Sequence, residues 1–296
     1  MKTAFLFTLL CLLYSICRSQ ELEPRAYAAL PKNLNSLAFV YGLTKGNVLT
    51  DPSLPIKDMK ANVNSLTLGY VHTFGLANKL ARVQITLPYM ILSGKLKLNG
   101  VDTSVTRSGF SDARLRLGIN LTGSPPLDKK DFVRYTQKTI VGVSLVTSIP
   151  IGYYEQDKRI NPGSHRWGFK PEIGISKRFK RVYAELYSGV WFYTANTKFL
   201  VTKTQIQKPV FNVQGHASYY FKKQMWISIN ANWFDGGQTY VDDKPQGSLL
   251  DNWRIGATWS FPIAKGHSLK LQFHIGAFTE SGYDYNAASL AYQWVF

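Results

Sequence analysis

The chain has 296 residues, 45% of them apolar and 18% charged, with 35 Lys and Arg against 18 Asp and Glu for a formal net charge of +17. That balance excludes intrinsic disorder, and 23 Gly, 17 Tyr, 17 Phe and 7 Trp beside 2 Cys argue against a helical bundle, a disulfide scaffold or a cysteine-ligated metal module. The basic residues are scattered, with no block of five or six, so the charge does not point to nucleic acid.

Met1, Lys2 and Thr3 precede an apolar run from Ala4 to Cys17, followed by Arg18, Ser19 and Gln20. A basic start, an apolar core of secretory length and a cut after Ser19 make residues 1–19 a signal peptide. The run is short of the ~20 residues that a spanning helix requires. Ile16 stands before Cys17 where lipoprotein cleavage wants a small residue. Both cysteines fall in this segment, so the mature chain would have none.

Further on, no window of 18 apolar residues occurs and two-residue alternation dominates. Asp112, Arg114, Arg116, Gly118 and Asn120 interleave with Ala113, Leu115, Leu117, Ile119 and Leu121, which in a strand puts charges on one face and aliphatic groups on the other. The same pattern predicts strands over 34–44, 62–74, 80–92, 111–122, 138–150, 167–178, 182–194, 209–221, 225–235, 251–261, 268–279 and 286–296. Lengths of about 11 to 13 suit tilted membrane-crossing strands better than a soluble sandwich. Short joins such as Phe179 to Arg181 alternate with long polar ones such as Ile151 to Arg166, apart from the long even-to-odd join 123–137.

These features predict an all-β transmembrane antiparallel β-barrel of 12 strands, with short periplasmic turns and long extracellular loops, in the outer membrane of a Gram-negative bacterium. Counts of 10 or 14 follow if one hairpin is misassigned. Residues 20–33 are expected as a periplasmic N-terminal segment and 34–296 as the barrel, with no dedicated plug domain before Leu34. Hydrocarbon outside requires closure of the last strand on the first, since edge N–H and C=O groups would find no partner in lipid.

An Arg on the lipid face costs about 2–4 kcal/mol at mid-membrane, so the charged faces must turn inward. Arg82, Arg114, Arg116, Lys138, Lys170, Glu172, Glu185, Arg254 and Lys270 are thus expected in the lumen, either favouring anions or pairing into a network that partly plugs the bore. Arg107, Asp112 and Arg166, where outer loops enter the bore, are constriction candidates, with loop-anchoring ion pairs as the alternative. Aromatics near strand ends, Trp167, Tyr187, Trp191, Tyr193, Trp226, Trp253, Trp259 and Trp294 among them, are expected as interfacial girdles.

Several spellings carry a resemblance. Asp51-Pro52-Ser53-Leu54-Pro55-Ile56, Leu87-Pro88-Tyr89, Arg107-Ser108-Gly109, His165-Arg166-Trp167-Gly168-Phe169-Lys170-Pro171-Glu172 and Trp191-Phe192-Tyr193-Thr194 with Asn196 resemble the family of outer-membrane proteins named for the meta-pathway of phenol degradation. The resemblance spans nearly all of the mature chain and implies a barrel acting as transporter or channel. Ala195 and His165 depart from its pattern, where an acidic residue and Asn are expected.

Five histidines lack metal-ligand spacing, and neither a nucleophile elbow nor a phosphate-binding glycine loop occurs, so no metal, cofactor or catalytic residue is assigned. The expected function is an outer-membrane channel for diffusion of small molecules, with aromatic or anionic compounds as candidate solutes. The alternatives are a closed structural or adhesion barrel and, as a minor one, a hydrolase. Expected partners are outer-membrane lipid and lipopolysaccharide, the solute, and the barrel-insertion machinery, which would read the C-terminal Phe296.

Overall fold

The computed structural model describes residues 23–49, 56–98, 101–222, 224–279 and 282–296. The expected signal peptide and Asp51–Pro55 lie outside these residues. The wall begins with β1 (Asn35–Leu49), β2 (Ile56–Leu76), β3 (Lys79–Leu98), β4 (Val101–Phe110), β5 (Ala113–Asn120), β6 (Ile140–Ile149), β7 (Gly168–Phe179) and β8 (Val182–Tyr193). Two short strands follow, β9 (Asn196–Phe199) and β10 (Lys203–Gln207), then β11 (Val210–Lys222), β12 (Met225–Gly236), β13 (Thr239–Val241) and β14 (Lys244–Pro245). The wall is completed by β15 (Leu250–Ala264), β16 (His267–Thr279) and β17 (Gly282–Val295).

All wall pairings are antiparallel, and β17 pairs with β1 from Ser36↔Val295 to Leu49↔Gly282, which closes the sheet. β4 and β5 share one place in the wall, because both pair with β3, β4 above Pro88 and β5 below it. At that break the Ser111 amide donates to the Pro88 carbonyl (2.8 Å). The result is the 12-position barrel that the alternation predicts.

The two faces separate as the period demands. Along β7, Lys170, Glu172, Gly174 and Ser176 are buried inward while Phe169, Ile173 and Ile175 are exposed outward. Exposed aliphatic and aromatic groups are the normal outer surface of a barrel whose solvent is hydrocarbon. Trp253, Trp259 and Trp294 stand on that surface, as interfacial aromatics do. Tyr187, Trp191 and Trp226 do not: they are buried on the inner face, where the count of aromatics near strand ends could not place them.

β2 and β3 run to 21 and 20 residues, well beyond the predicted 62–74 and 80–92. At their outer ends backbone pairing continues while the outward row turns polar, with Asn62 and Lys60 on β2 opposite Ser93 and Lys95 on β3. β9, β10, β13 and β14 form a small antiparallel sheet within the long polar loops. The long join after β5 holds one helical turn, α1 (Lys129–Phe132). Other joins at that rim are tight, with Ala77, Asn78, Lys180 and Gln224 at positive φ.

The bore and its N-terminal segment as candidate functional site

Residues 23–33, expected as periplasmic, lie inside the barrel. Asn33, at φ 58°, turns the chain inward. Its amide donates to the Thr73 carbonyl (2.7 Å), and the Thr73 hydroxyl donates to the Pro31 carbonyl (2.7 Å). Lys32 ties the root to the α1 join through its amide on the Leu127 carbonyl (2.8 Å) and its ammonium on Asp128 (3.1 Å). From there the chain climbs to mid-height.

At mid-height, inward charges on β3, β5, β7 and β8 meet this segment or a neighbour that does. The Arg82 guanidinium donates to the carbonyls of Ala26 and Ala28, satisfying acceptors that a non-strand backbone leaves open in a buried place. Glu185 receives the Arg25 amide (2.7 Å) and guanidinium (3.1 Å), and Arg25 also donates to Gln137 (3.0 Å) and lies 3.9 Å from the Tyr183 ring centroid. The Tyr27 hydroxyl bonds Ser144 (2.9 Å) and donates to Glu172 (3.1 Å). Burial, with the Glu172 carboxylate beside it, pushes the Tyr27 phenol up to about 12.

Glu172 gathers two further cations. Arg116 bridges it to Glu23 of the segment, and the Lys170 ammonium lies 2.8 Å from its other oxygen. Above this floor a cavity of about 30 Å³ is lined by Glu23, Gln84, Arg114, Arg116, Lys170 and Gln214, room for about one water molecule. Seven of the nine predicted lumen charges are basic. Pairing with Glu23, Glu172 and Glu185 offsets much of that at mid-height, and Glu23 was missed because it precedes the first strand.

The other predicted residues spread out. Arg114 lies toward the outer half, 5.8 Å from the Trp191 ring. Arg254 on β15 donates to the Tyr285 carbonyl (2.8 Å) and stacks 3.6 Å from its ring centroid. Lys270 on β16 is 5.9 Å from the Trp226 ring. Lys138 is exposed before β6 begins, so its expected place in the lumen is corrected: the strand starts at Ile140, two residues later than the pattern suggested.

Arg107, Asp112 and Arg166 sit at the outer rim and hold loops. Asp112 accepts the amides of Gly152 (3.1 Å) and Ser164 (2.9 Å), pinning both ends of the loop between β6 and β7 to the rim. Arg107 reaches Glu155 (3.8 Å). Arg166 donates to Gln207 (2.6 Å) and stacks 4.4 Å from Tyr193, and its burial pulls its pKa below the usual range. Within the bore it is the N-terminal segment that links opposite parts of the wall, Glu23 reaching Arg116 on β5 and donating its amide to Gln214 on β11 (3.4 Å).

Two features have no role assigned by the sequence, although alternation already puts Asn212, Gln214, His216 and Ser218 on one polar row. One is an uncharged polar wall in which Gln214 donates to Asn212 (3.1 Å), His216 bonds Asn230 (2.9 Å) and Asn230 donates to Thr258 (3.1 Å). The other is an apolar cluster on the inner face near the outer mouth, Val146, Trp191, Val210 and Phe234, packed by Tyr193 and Leu250. Both consist of inward positions on strands already predicted, so period-2 phase could have located them.

A closed antiparallel barrel with an aliphatic exterior and a polar, occupied bore is an outer-membrane β-barrel. The chain belongs to the family described as "Putative MetA-pathway of phenol degradation", which matches residues 43–292. Among solved structures it is similar to the COG4313 outer membrane channel from Pseudomonas putida F1, at 19% identity and a TM-score of 0.78, covering 93% of this chain and 100% of that one. The beta domain of the Bordetella autotransporter BrkA is similar at 11% identity and a TM-score of 0.54, covering 90% of this chain and 100% of that one. The transport unit of the autotransporter AIDA-I from Escherichia coli is similar at 10% identity and 0.54, covering 99% and 97%. A search of curated proteins found no match.

Proposed function

We propose that the protein is a channel for small molecules whose bore is closed at mid-height by its own N-terminal segment. The observation that carries this reading is how the segment is held. From Glu23 to Pro31 it adds no strand to the sheet and is secured through wall side chains, Arg82, Ser144, Glu172 and Glu185 among them, so that stretch can leave without breaking the wall. The similar Pseudomonas structure is named as a channel, which agrees. Aromatic or anionic solutes suit the outer half, where Trp191 and Phe234 lie close to Arg114 and Lys170.

On the same reading residues 1–19 are removed as a signal peptide and the insertion machinery reads Phe296, whose exposed ring packs on Trp294 at 4.6 Å. The protein is read as no enzyme. His72, His216 and His267 are bonded to Asn35, Asn230 and Tyr292, partners that fix a ring without activating a nucleophile.

Planar-bilayer conductance of the full mature chain and of a variant lacking residues 23–31 tests the proposal. Wild-type protein should give small steps, and the deletion should enlarge them several-fold. Absence of conductance in both would instead establish a closed structural barrel.

A further inference from the structure

We infer that the outer ends of β1, β2 and β3 form a binding site for the phosphate groups of lipopolysaccharide, built from Lys45, Lys60 and Lys95 on the outward face. This depends on the barrel's place in the membrane and is independent of whether the bore conducts.

Register puts the three side chains together. Lys60 pairs directly with Lys95 across β2 and β3, and Lys45 pairs with Asn62, two residues along from Lys60. Directly opposed side chains have β-carbons about 4.5–5.5 Å apart and diagonal ones about 7–8 Å. All three lysines are exposed, and no ion pair is made by them among the described residues. Like charges directly opposed on a sheet are destabilising, so their juxtaposition calls for an anion between them.

Their height fits that anion. The outward column of β2 runs Leu68, Leu66, Asn64, Asn62, Lys60, from hydrocarbon-compatible to amide to ammonium, with the Tyr41 hydroxyl donating to Asn64 at the transition (2.9 Å). Near the opposite rim Tyr70 and His72 bond Asn35 (2.8 and 2.9 Å). From the Asn35–His72 row to the Lys45–Asn62 row is about ten residues, or about 33 Å of strand and ~25 Å of rise at a tilt of ~40°. That rise matches the ~25 Å apolar band of such barrels, so the ammonium groups reach the outer headgroup level.

The neighbouring outward positions are hydrogen-bonding ones. Ser93 pairs with Asn62 and with Thr106, and Ser104 with Lys95. One row further along in register, Asp102 pairs with Lys97 and Asp284 with Asn47. Three ammonium groups ringed by hydroxyls and an amide suit a phosphomonoester fixed to a lipid anchor, with acyl chains running down the Leu66–Leu68 face.

The test is a native mass-spectrometry titration of the full mature chain with diphosphorylated lipid A, with its dephosphorylated form, and with diphosphorylated lipid A in the presence of inorganic phosphate. Wild-type protein should half-saturate with the diphosphorylated lipid at about tenfold lower concentration than with the dephosphorylated one. The triple variant Lys45→Gln, Lys60→Gln, Lys95→Gln should bring that ratio to about one, whereas Lys180→Gln at the opposite rim should keep it. Should the triple variant not assemble, Lys60→Gln and Lys95→Gln singly should each lower the ratio about two- to threefold. A wild-type ratio near one, a ratio unchanged in the lysine variants, or competition by inorganic phosphate at concentrations as low as the lipid's would each overturn the inference.

Discussion

Gly142 on β6 pairs in register with Gly174 on β7, and the Tyr27 ring lies where both their β-carbons would stand. A β-carbon at Gly142 would be 2.4 Å from Tyr27 Cδ1, and one at Gly174 would be 2.3 Å from Tyr27 Cε2. Tyr187, paired with Gly174, closes the slot edge-on with ring centroids 5.0 Å apart. The wall therefore carries a recess shaped for one side chain of the segment, and a planar ring cannot move a few tenths of an ångström to share it.

Gly174→Ala should expel Tyr27 and free the segment, with the Tyr187 ring, 2.8 Å from the added carbon, shifting while both strands stay paired. Trypsin reports it, because Arg25 is held on Glu185 in the wild type. Cleavage after Arg25 should be slow in wild-type protein and at least tenfold faster in Gly174→Ala. Gly215→Ala, with nothing within 4 Å of the added carbon, should leave the rate unchanged.

Glu172→Gln should destabilise the folded barrel. It removes the carboxylate shared by Arg116, Lys170 and the Tyr27 hydroxyl, and so breaks two buried ion pairs from one side. Breaking a buried ion pair from one side costs about 3–5 kcal/mol. Urea titration in detergent micelles should show the midpoint lowered, and addition of Lys170→Met should restore part of the loss.

Val143→Arg and Ser144→Arg should fail differently. Val143 faces lipid, where an Arg costs about 2–4 kcal/mol, so the membrane-inserted yield should fall. Ser144 is buried inward against the Tyr27 hydroxyl. Its replacement should allow insertion and disturb the segment. Equal insertion of the two, measured by heat-dependent gel mobility, would contradict the facing of β6.

The wall was legible because hydrocarbon on one side and polar groups on the other leave a period of two in rows such as Arg114–Leu115–Arg116–Leu117. The segment was not legible. Glu23-Pro24-Arg25-Ala26-Tyr27 has no period, and what holds it is spread over β3, β5, β6, β7 and β8, more than fifty residues away in the chain. The trace it leaves in sequence is negative space: Gly142 and Gly174 at inward positions, opposite the bulky Tyr187. Lys138 and the inward Trp191 and Trp226 show the other limit. Period fixes phase within a strand but not where the strand begins or which aromatics belong to an interface.

Closure through Ser36↔Val295 joins residues 259 positions apart in the sequence. A loop of that size forms late, and until it forms both flanking strands expose rows of amides and carbonyls that oil will not accept. The bilayer can therefore host the finished cylinder but no stable fraction of it. A nascent molecule must stay in aqueous, escorted form until its last strand has arrived, and damage to either end should be met by degradation in the envelope rather than by a smaller pore.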